Sequence, residues 1–433
     1  MRAPFPQLLS REPHRTGPGT RRSTPCAQTI QIGFPTMDRV LDFPSSADSA
    51  GELHPRLVEL RRQGTLPRVL LSDGQEAWLA TRHEDVRTVL NDRSFSRDVV
   101  GVRARRSGEE PGGARSVNMD GRPHSELRAL VSKAFTVRRI EAMTSRIQAW
   151  TDDLIDAMEE EGPPADLVAH LAVPLPAIAI CELLGFPIED RDALSGWCDR
   201  ITTIGDGAPD QKAWRELTAY IERQVPVKRA ALDDGLAPDA DILTRLVHAH
   251  DSENALSMEE LLSLTVVVLA GGLETTQTAI SGGMLRLFRN PDQLDKLRAD
   301  PDLVVPAVEE LLRYQPVIDV NRVQIATEAV RLGDQQICEG DLVQVSINAA
   351  NHDETVFPDS ERCDVTRGPN PHLAFGYGAH HCLGAALARL ELKTAFSTLL
   401  RRFPNLRPAV PPESLSWRGG HVTLRLEELP VAW

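Results

Sequence analysis

Residues 257–289, SMEELLSLTVVVLAGGLETTQTAISGGMLRLFR, constrain the fold more than any other stretch. Apolar residues recur at helical spacing. Ser257 is placed to cap the first turn, and Glu260 follows three residues later, the pattern of a capping box. The centre is apolar, so the spacing predicts a long helix that crosses the core. HEDVRTVLND, HSELRALVSKAF and RIEAMTSRIQAWTDDLIDAMEEEG repeat the helical spacing, and the last stops at Gly162 with Pro163 behind it. ADLVAHLAVPLPAIAICELLG is apolar enough for a core helix, with kinks expected at Pro174 and Pro176. Strand-like pieces are short: RVLLS, AWLAT, VQIAT, AVRLG, DLVQVSI and VTLRLEEL. The expected fold is mainly α with small antiparallel β-sheets, without an internal repeat or a splitting linker. Residues 95–118, 204–210 and 351–381 carry little periodicity, and irregular stretches of such length in a compact body are usually functional.

Composition narrows the function classes. A chain of 433 residues with 41% hydrophobic content has ample material for a core. A net charge of −14 with 25% charged residues argues for a soluble protein and against general nucleic-acid binding. The basic residues are nearly all arginine, which, with abundant Ala, Gly and Pro, suggests a GC-rich bacterial genome. Six cysteines lie scattered with no C-x-x-C pair, so a reducing, cytoplasmic setting fits better than a disulfide framework. The most apolar run, LTVVVLAGGL, is short for a membrane span and is soon followed by Glu274. Residues 1–36 are rich in Pro, Arg, Ser and Thr and read as a disordered extension. Patterned sequence begins at Met37, an alternative start to Met1, and residues 37–433 read as one domain.

The segment FGYGAHHCLG, Phe375 to Gly384, carries the chemistry. A buried structural cysteine is the plain reading of a lone Cys. A zinc site fits poorly, because three adjacent residues, His380, His381 and Cys382, cannot all point at one ion. Gly376 and Gly378 allow tight backbone conformations. An amphipathic helix follows Cys382, so unpaired N–H groups and the helix dipole favour a thiolate there. Gly384 leaves room for a planar cofactor. A thiolate on a glycine-lined loop aimed at a flat ring is what a haem-thiolate iron needs.

The segment resembles the cytochrome P450 signature F-x-x-G-x-[HR]-x-C-x-G at Phe375, Gly378, His380, Cys382 and Gly384. The resemblance implies that Cys382 is the axial ligand of a haem b held between the long central helix and the cysteine-loop helix. It implies that His380 is a propionate partner and that Phe375 packs beside the sulfur. Companion motifs stand in the right order. Glu310 and Arg313 of EELLR are spaced to pair on one helix face. With Arg367 they match the family's E-x-x-R and meander arginine, a structural lock on the cysteine loop. GGLETT matches the oxygen-activation motif [AG]-G-x-[DE]-T at Gly271, Gly272, Glu274 and Thr275. Two mid-helix glycines cost roughly 1 kcal/mol each, which a ligand cavity or close helix packing would explain. His124 and Arg128 lie one turn apart, and with Arg322 they match propionate partners.

The resemblance implies a monooxygenase that takes O2 and external electrons, ultimately from NAD(P)H, through a ferredoxin and its reductase. The expected enzyme tailors a small-molecule bacterial secondary metabolite, with Glu274 and Thr275 relaying protons, and works as a monomer. Oxidative coupling or dehydrogenation, or binding without catalysis, stay open as alternatives. Arg122, Arg128, Lys133, Arg138 and Arg139 form a candidate basic patch for an acidic ferredoxin. Val267, Ala270, Ile318, Asp319 and Val320 are candidate pocket residues. Asp319 either points away into a backbone network or anchors a nitrogen of the substrate.

Overall fold

The computed structural model describes residues 41–42, 53–71, 74–108, 118–203, 210–315, 317–318, 323–418, 423 and 425–433. The expected N-terminal extension and Met37, residues 204–209 and 109–117 of two expected loops, and Asp319, Val320 and Arg322 lie outside the described residues.

The long helix runs Met258–Arg289, with the Ser257–Glu260 capping box formed in both directions. Its two halves serve two cores. Leu264, Val266, Leu269 and Leu273 join Ile180, Leu184, Leu217 and Ile221. Ile280, Met284, Leu285 and Leu287 join Leu392, Phe396 and Leu399. Burying one Leu or Ile side chain contributes about 1.5–3 kcal/mol, so the helix is held along its length by neighbours on both sides. Among the described residues it is the one helix long and apolar enough to cross a membrane by length and composition, and 50% of that apolar window is buried inside the protein.

Helices form at His83–Asn91 and Gly121–Ser132, as their spacing predicts. Three elements depart from expectation. The stretch read as one helix from Arg139 is broken at Met143, giving Val137–Ala142 and Thr144–Glu161; there the Met143 N–H bonds the Ile140 carbonyl at 3.0 Å, a tighter turn than α. Pro174 does not kink a helix but opens one, Pro174–Leu184, where its missing N–H has no bond to lose. The stretch 95–118, expected to be irregular, contains a helix at Val99–Arg106. Asp98 caps it by accepting from the Gly101 N–H at 2.9 Å, and Arg103, Arg105 and Arg106 complement the dipole at its end.

Six short strands make the largest sheet, in the order Leu41–Asp42, Arg68–Leu70, Glu76–Ala80, Leu342–Val345, Val323–Ala326 and Phe95–Ser96. Two of its pairings are parallel: Leu41–Asp42 with Arg68–Leu70, and Glu76–Ala80 with Leu342–Val345. The remaining pairings are antiparallel. The other sheets are antiparallel two- and three-stranded pieces. One is the hairpin Trp417–Arg418 with Arg425–Leu426, which packs on the long helix.

Candidate active site

The cysteine segment is shaped by its own backbone. Gly376 and Gly378 adopt φ of 71° and 72°, a region that L side chains rarely enter. The Gly376 N–H bonds the Leu373 carbonyl at 2.8 Å, and the Cys382 N–H bonds the Phe375 carbonyl at 2.8 Å. The second bond brings Phe375 beside Cys382 and closes the loop. A side chain on Gly378 would meet the Leu90 carbonyl and Asn91 at 2.8 Å, so Gly378 is demanded by the neighbouring helix as well as by its φ. Helix Ala385–Arg402 follows with Gly384 at its cap, placing Cys382 two residues before the cap, in the reach of the first-turn N–H groups.

The cysteines are set apart by burial. Cys181, Cys198 and Cys363 are buried, and burial pushes the Cys181 and Cys363 thiols up to about 12 and Cys198 up further. These three stay protonated. Cys382 is exposed.

A dense ionic network lies under the loop. Glu310 and Arg313 are both fully buried. Arg313 donates to Glu310 through Nε at 2.7 Å and Nη2 at 2.8 Å, and to the carbonyls of Asn351 at 2.7 Å, Ser360 at 3.0 Å and Arg362 at 3.2 Å. Arg367 Nε donates to Glu310 at 3.0 Å, and its other nitrogens bind the carbonyls of Pro358, Asp359 and Arg362. The Asp364 N–H and Asn370 amide also donate to Glu310. One carboxylate and two forked guanidiniums thereby gather residues 351–370, the chain leading into the cysteine segment. Beside it, Glu309 takes Arg389 at 2.7 Å and His372 at 3.0 Å. Burial opposes its charge, but these partners hold the Glu309 carboxyl at about 2. Arg389 in turn stacks over Phe375 at 4.5 Å.

His124, Arg128 and His380 come together. The His124 and His380 rings lie 4.1 Å apart, and Arg128 Nη2 donates to the His381 carbonyl at 2.7 Å. The sequence reasoning missed two further members, Asp120 and Arg97. Asp120 Oδ1 is 2.8 Å from His380 Nε2, and Oδ2 accepts from Ser96 Oγ at 2.6 Å and the Arg97 N–H at 2.9 Å. Burial would raise the Asp120 carboxyl, yet the hydrogen bonds from His380, Ser96 and Arg97 bring it to about 2. Burial lowers His124 to about 4, helped by its neighbours His380 and Arg128. The available signal was local: Asp120 directly precedes the helix bearing His124 and Arg128.

The long helix carries the other group. Val267 is 41% exposed at the middle of a core helix. One and two turns on, Gly271 is exposed and Thr275 half-buried; Thr275 Oγ1 donates to the Gly271 carbonyl at 2.7 Å. A Cβ on Gly271 would meet nothing within 4 Å, whereas one on Gly272 would strike Ile180 at 2.8 Å. The two glycines therefore have different causes: Gly271 borders open space, and Gly272 lets two helices approach. Ala270 and Leu383 both border the apolar cluster that this helix shares with Leu127, Val131 and Ala134. Ile318 is half-buried. Glu274 and Thr276 turn away from the stripe and are buried. Thr202 donates to Glu274. Burial raises the Glu274 carboxyl, against the Thr202 hydrogen bond and the charge of Arg418. Among the described residues no group of three or more His, Cys, Asp and Glu is placed to hold a metal ion.

Known proteins share this fold. The chain matches the family model for Cytochrome P450 over residues 40–189 and 209–417. It is 39% identical to nocardicin C N-oxygenase of Nocardia uniformis subsp. tsuyamanensis, covering 90% of this chain and 98% of that one. It is also 39% identical to the mycinamicin IV hydroxylase/epoxidase of Micromonospora griseorubida, covering 87% and 95%. A solved cytochrome P450mel with biaryl coupling reactivity is 39% identical with a TM-score of 0.81, covering 91% of this chain and all of that one. The family model covers most of the chain and the relatives align with it nearly end to end, so the chain belongs to the cytochrome P450 family and is an oxidoreductase.

Proposed function

We propose that the chain is a haem-thiolate monooxygenase of bacterial secondary metabolism in which Cys382 ligates the iron of haem b. The observation that carries this reading is the exposed Cys382 on a closed loop, whereas burial pushes the Cys181 and Cys363 thiols up to about 12. A flat ring fits the chain's own surfaces: a Cβ on Gly271 would meet nothing within 4 Å, and on Gly384 only Phe135 at 3.9 Å. His124, Arg128, Arg322 and His380 would hold the propionates, with Arg97 adding to the cationic side and Asp120 orienting His380 through Nε2. Phe375 and Gly378 shape the loop, and Glu310, Arg313 and Arg367 keep it fixed. Bound haem supplies reductive activation of O2 and delivery of one oxygen atom to an organic substrate.

The protein's part is positioning and proton supply. Thr275 presents a hydroxyl beside the open stripe, while its hydrogen bond to the Gly271 carbonyl fixes its rotamer. Glu274, one residue back and raised by burial, is the proton reserve. Val267, Ala270, Ile318 and Val320 give the pocket an apolar wall. Asp319 lies on the same segment. Electrons arrive from a ferredoxin and ferredoxin reductase, in the cytoplasm. Exposed Arg138 has no ion pair among the described residues, whereas Arg122 is held by Glu126 and Lys133 by Asp239, so Arg138 is the freest cation of the basic patch.

The substrate is a tailoring intermediate of a natural product, because the relatives act on nocardicin C and mycinamicin IV. Equal identity to enzymes of N-oxygenation, hydroxylation or epoxidation, and biaryl coupling supports a second outcome, coupling without oxygen insertion. The test is the reduced carbon monoxide spectrum of the wild type and Cys382→Ala. A thiolate-type red-shifted Soret band lost in the variant is expected; its survival would overturn the assignment. Product mass separates gain of one oxygen from loss of two hydrogens.

A further inference from the structure

A ladder of alternating charge descends from the surface to Glu274. Arg418 and Arg425 are direct cross-strand partners in the C-terminal hairpin, an arrangement that repels unless an anion intervenes. Asp199, on helix Arg191–Thr202, is that anion: it pairs with Arg425 and lies 3.4 Å from Arg418. Arg425 Nη1 lies 3.9 Å from Glu274 Oε1. Side-chain exposure falls along the series, from 48% at Arg418 to 26% at Asp199, 6% at Arg425 and 5% at Glu274. Two carboxylates therefore compete for one buried guanidinium, and Asp199 holds the nearer position.

Thr202 ends the same helix and completes the setting. Its hydroxyl lies within 2.9 Å of the Cys198 carbonyl and also contacts Glu274. A hydroxyl has one hydrogen and two acceptor sites. It can donate to an ionised Glu274, or donate to Cys198 and accept from a protonated one. Either protonation state of Glu274 keeps a partner without moving the backbone. Among the described residues, the charged and titratable groups near Glu274 are Asp199 and Cys198 on that helix and Arg418 and Arg425 on the hairpin; burial pushes the Cys198 thiol up.

We propose that Asp199, Arg425 and Thr202 are positioning residues for Glu274, with the Asp199–Arg425 pair withholding the arginine's charge so that Glu274 can carry a deliverable proton. This rests on the reading of Glu274 as the proton reserve. Removing the Asp199 charge releases Arg425 to Glu274 and favours its ionised form. Removing Arg425 or the Thr202 hydroxyl favours the protonated form.

The test is an infrared pH titration of the carboxyl C=O band of Glu274 in the ferric, haem-loaded protein. The band is assigned by its loss in Glu274→Gln. Asp199→Asn is expected to lower the titration midpoint by about 1 unit or more, and Arg425→Gln to raise it. Thr202→Val raises it too. Equal midpoints, or shifts of the same sign in Asp199→Asn and Arg425→Gln, overturn the proposal. If Arg425→Gln does not fold, Asp199→Asn and Thr202→Val decide it by the same opposition of sign. The fraction of NAD(P)H recovered in product by Glu274→Gln tests the underlying reading separately. Unchanged recovery there removes the proton-reserve role while the titration still reports the positioning.

Discussion

Glu309 and Glu310 are adjacent and both hold arginine, but burial and the number of partners separate their expected importance. Glu310 is 0% exposed and accepts from Arg313, Arg367, Asn370 and the Asp364 N–H, while Arg313 is also 0% exposed. Glu310→Gln keeps the volume but removes the one carboxylate that, among the described residues, contacts both of these buried or nearly buried guanidiniums. Breaking a buried pair by removing one partner costs about 3–5 kcal/mol, because the remaining charge has no water to turn to. Glu309 and Arg389 are 24% and 39% exposed, so water replaces much of what Glu309→Gln removes, and the cost is about 1 kcal/mol. Against a total stability of about 5–15 kcal/mol, the first variant is expected to be severely weakened and the second nearly normal. Equilibrium urea unfolding of haem-loaded protein, followed by far-ultraviolet circular dichroism and by Soret absorption, measures both. The Soret signal should be lost at a lower urea concentration than the helical signal in Glu310→Gln, because the network fixes the loop before the helices. Equal costs for the two variants, or a cost below about 1 kcal/mol for Glu310→Gln, would refute the argument from burial.

Other outcomes follow from the same geometry. Thr275→Ala should retain haem and substrate binding yet divert NAD(P)H to hydrogen peroxide; full coupling to product, measured as product per NAD(P)H, would place the proton supply elsewhere. Gly271→Ala should gain up to about 1 kcal/mol of helix stability in thermal unfolding, whereas Gly272→Ala should cost about 1–3 kcal/mol by pushing on Ile180. Burial lowers the folded pKa of His352 from 6.5 to about 3. The unfolded chain therefore takes up protons first, and stability should fall as pH drops below about 6.5; a urea midpoint that falls as steeply in His352→Gln as in wild type would refute a role for that residue. Arg138→Glu should slow reduction by an acidic ferredoxin at low ionic strength and lose its effect at high salt, as read by stopped-flow.

Local rules carried far in this chain. The capping box at Ser257 and Glu260, the apolar centre behind it, and the glycine turn at Gly376 depend on neighbours within a few residues, so the sequence alone determined them. The three-residue spacing of Glu310 and Arg313 likewise determined their pairing, because a helix places them on one face. Tertiary packing decided what lies across long loops. Arg425 reaches Glu274 from 151 residues away in sequence, and Asp120 reaches His380 across 260; no periodicity encodes such contacts. Gly271 and Gly272 are the same residue in the same helix, yet one faces open space and the other Ile180. Strand pairing was also left to the fold: strands of two to five residues have too few side chains to specify a partner, and parallel pairing of Glu76–Ala80 with Leu342–Val345 requires the intervening chain to be packed first. Side-chain patterns set each element, and burial, which exists only once the elements meet, set which charges matter.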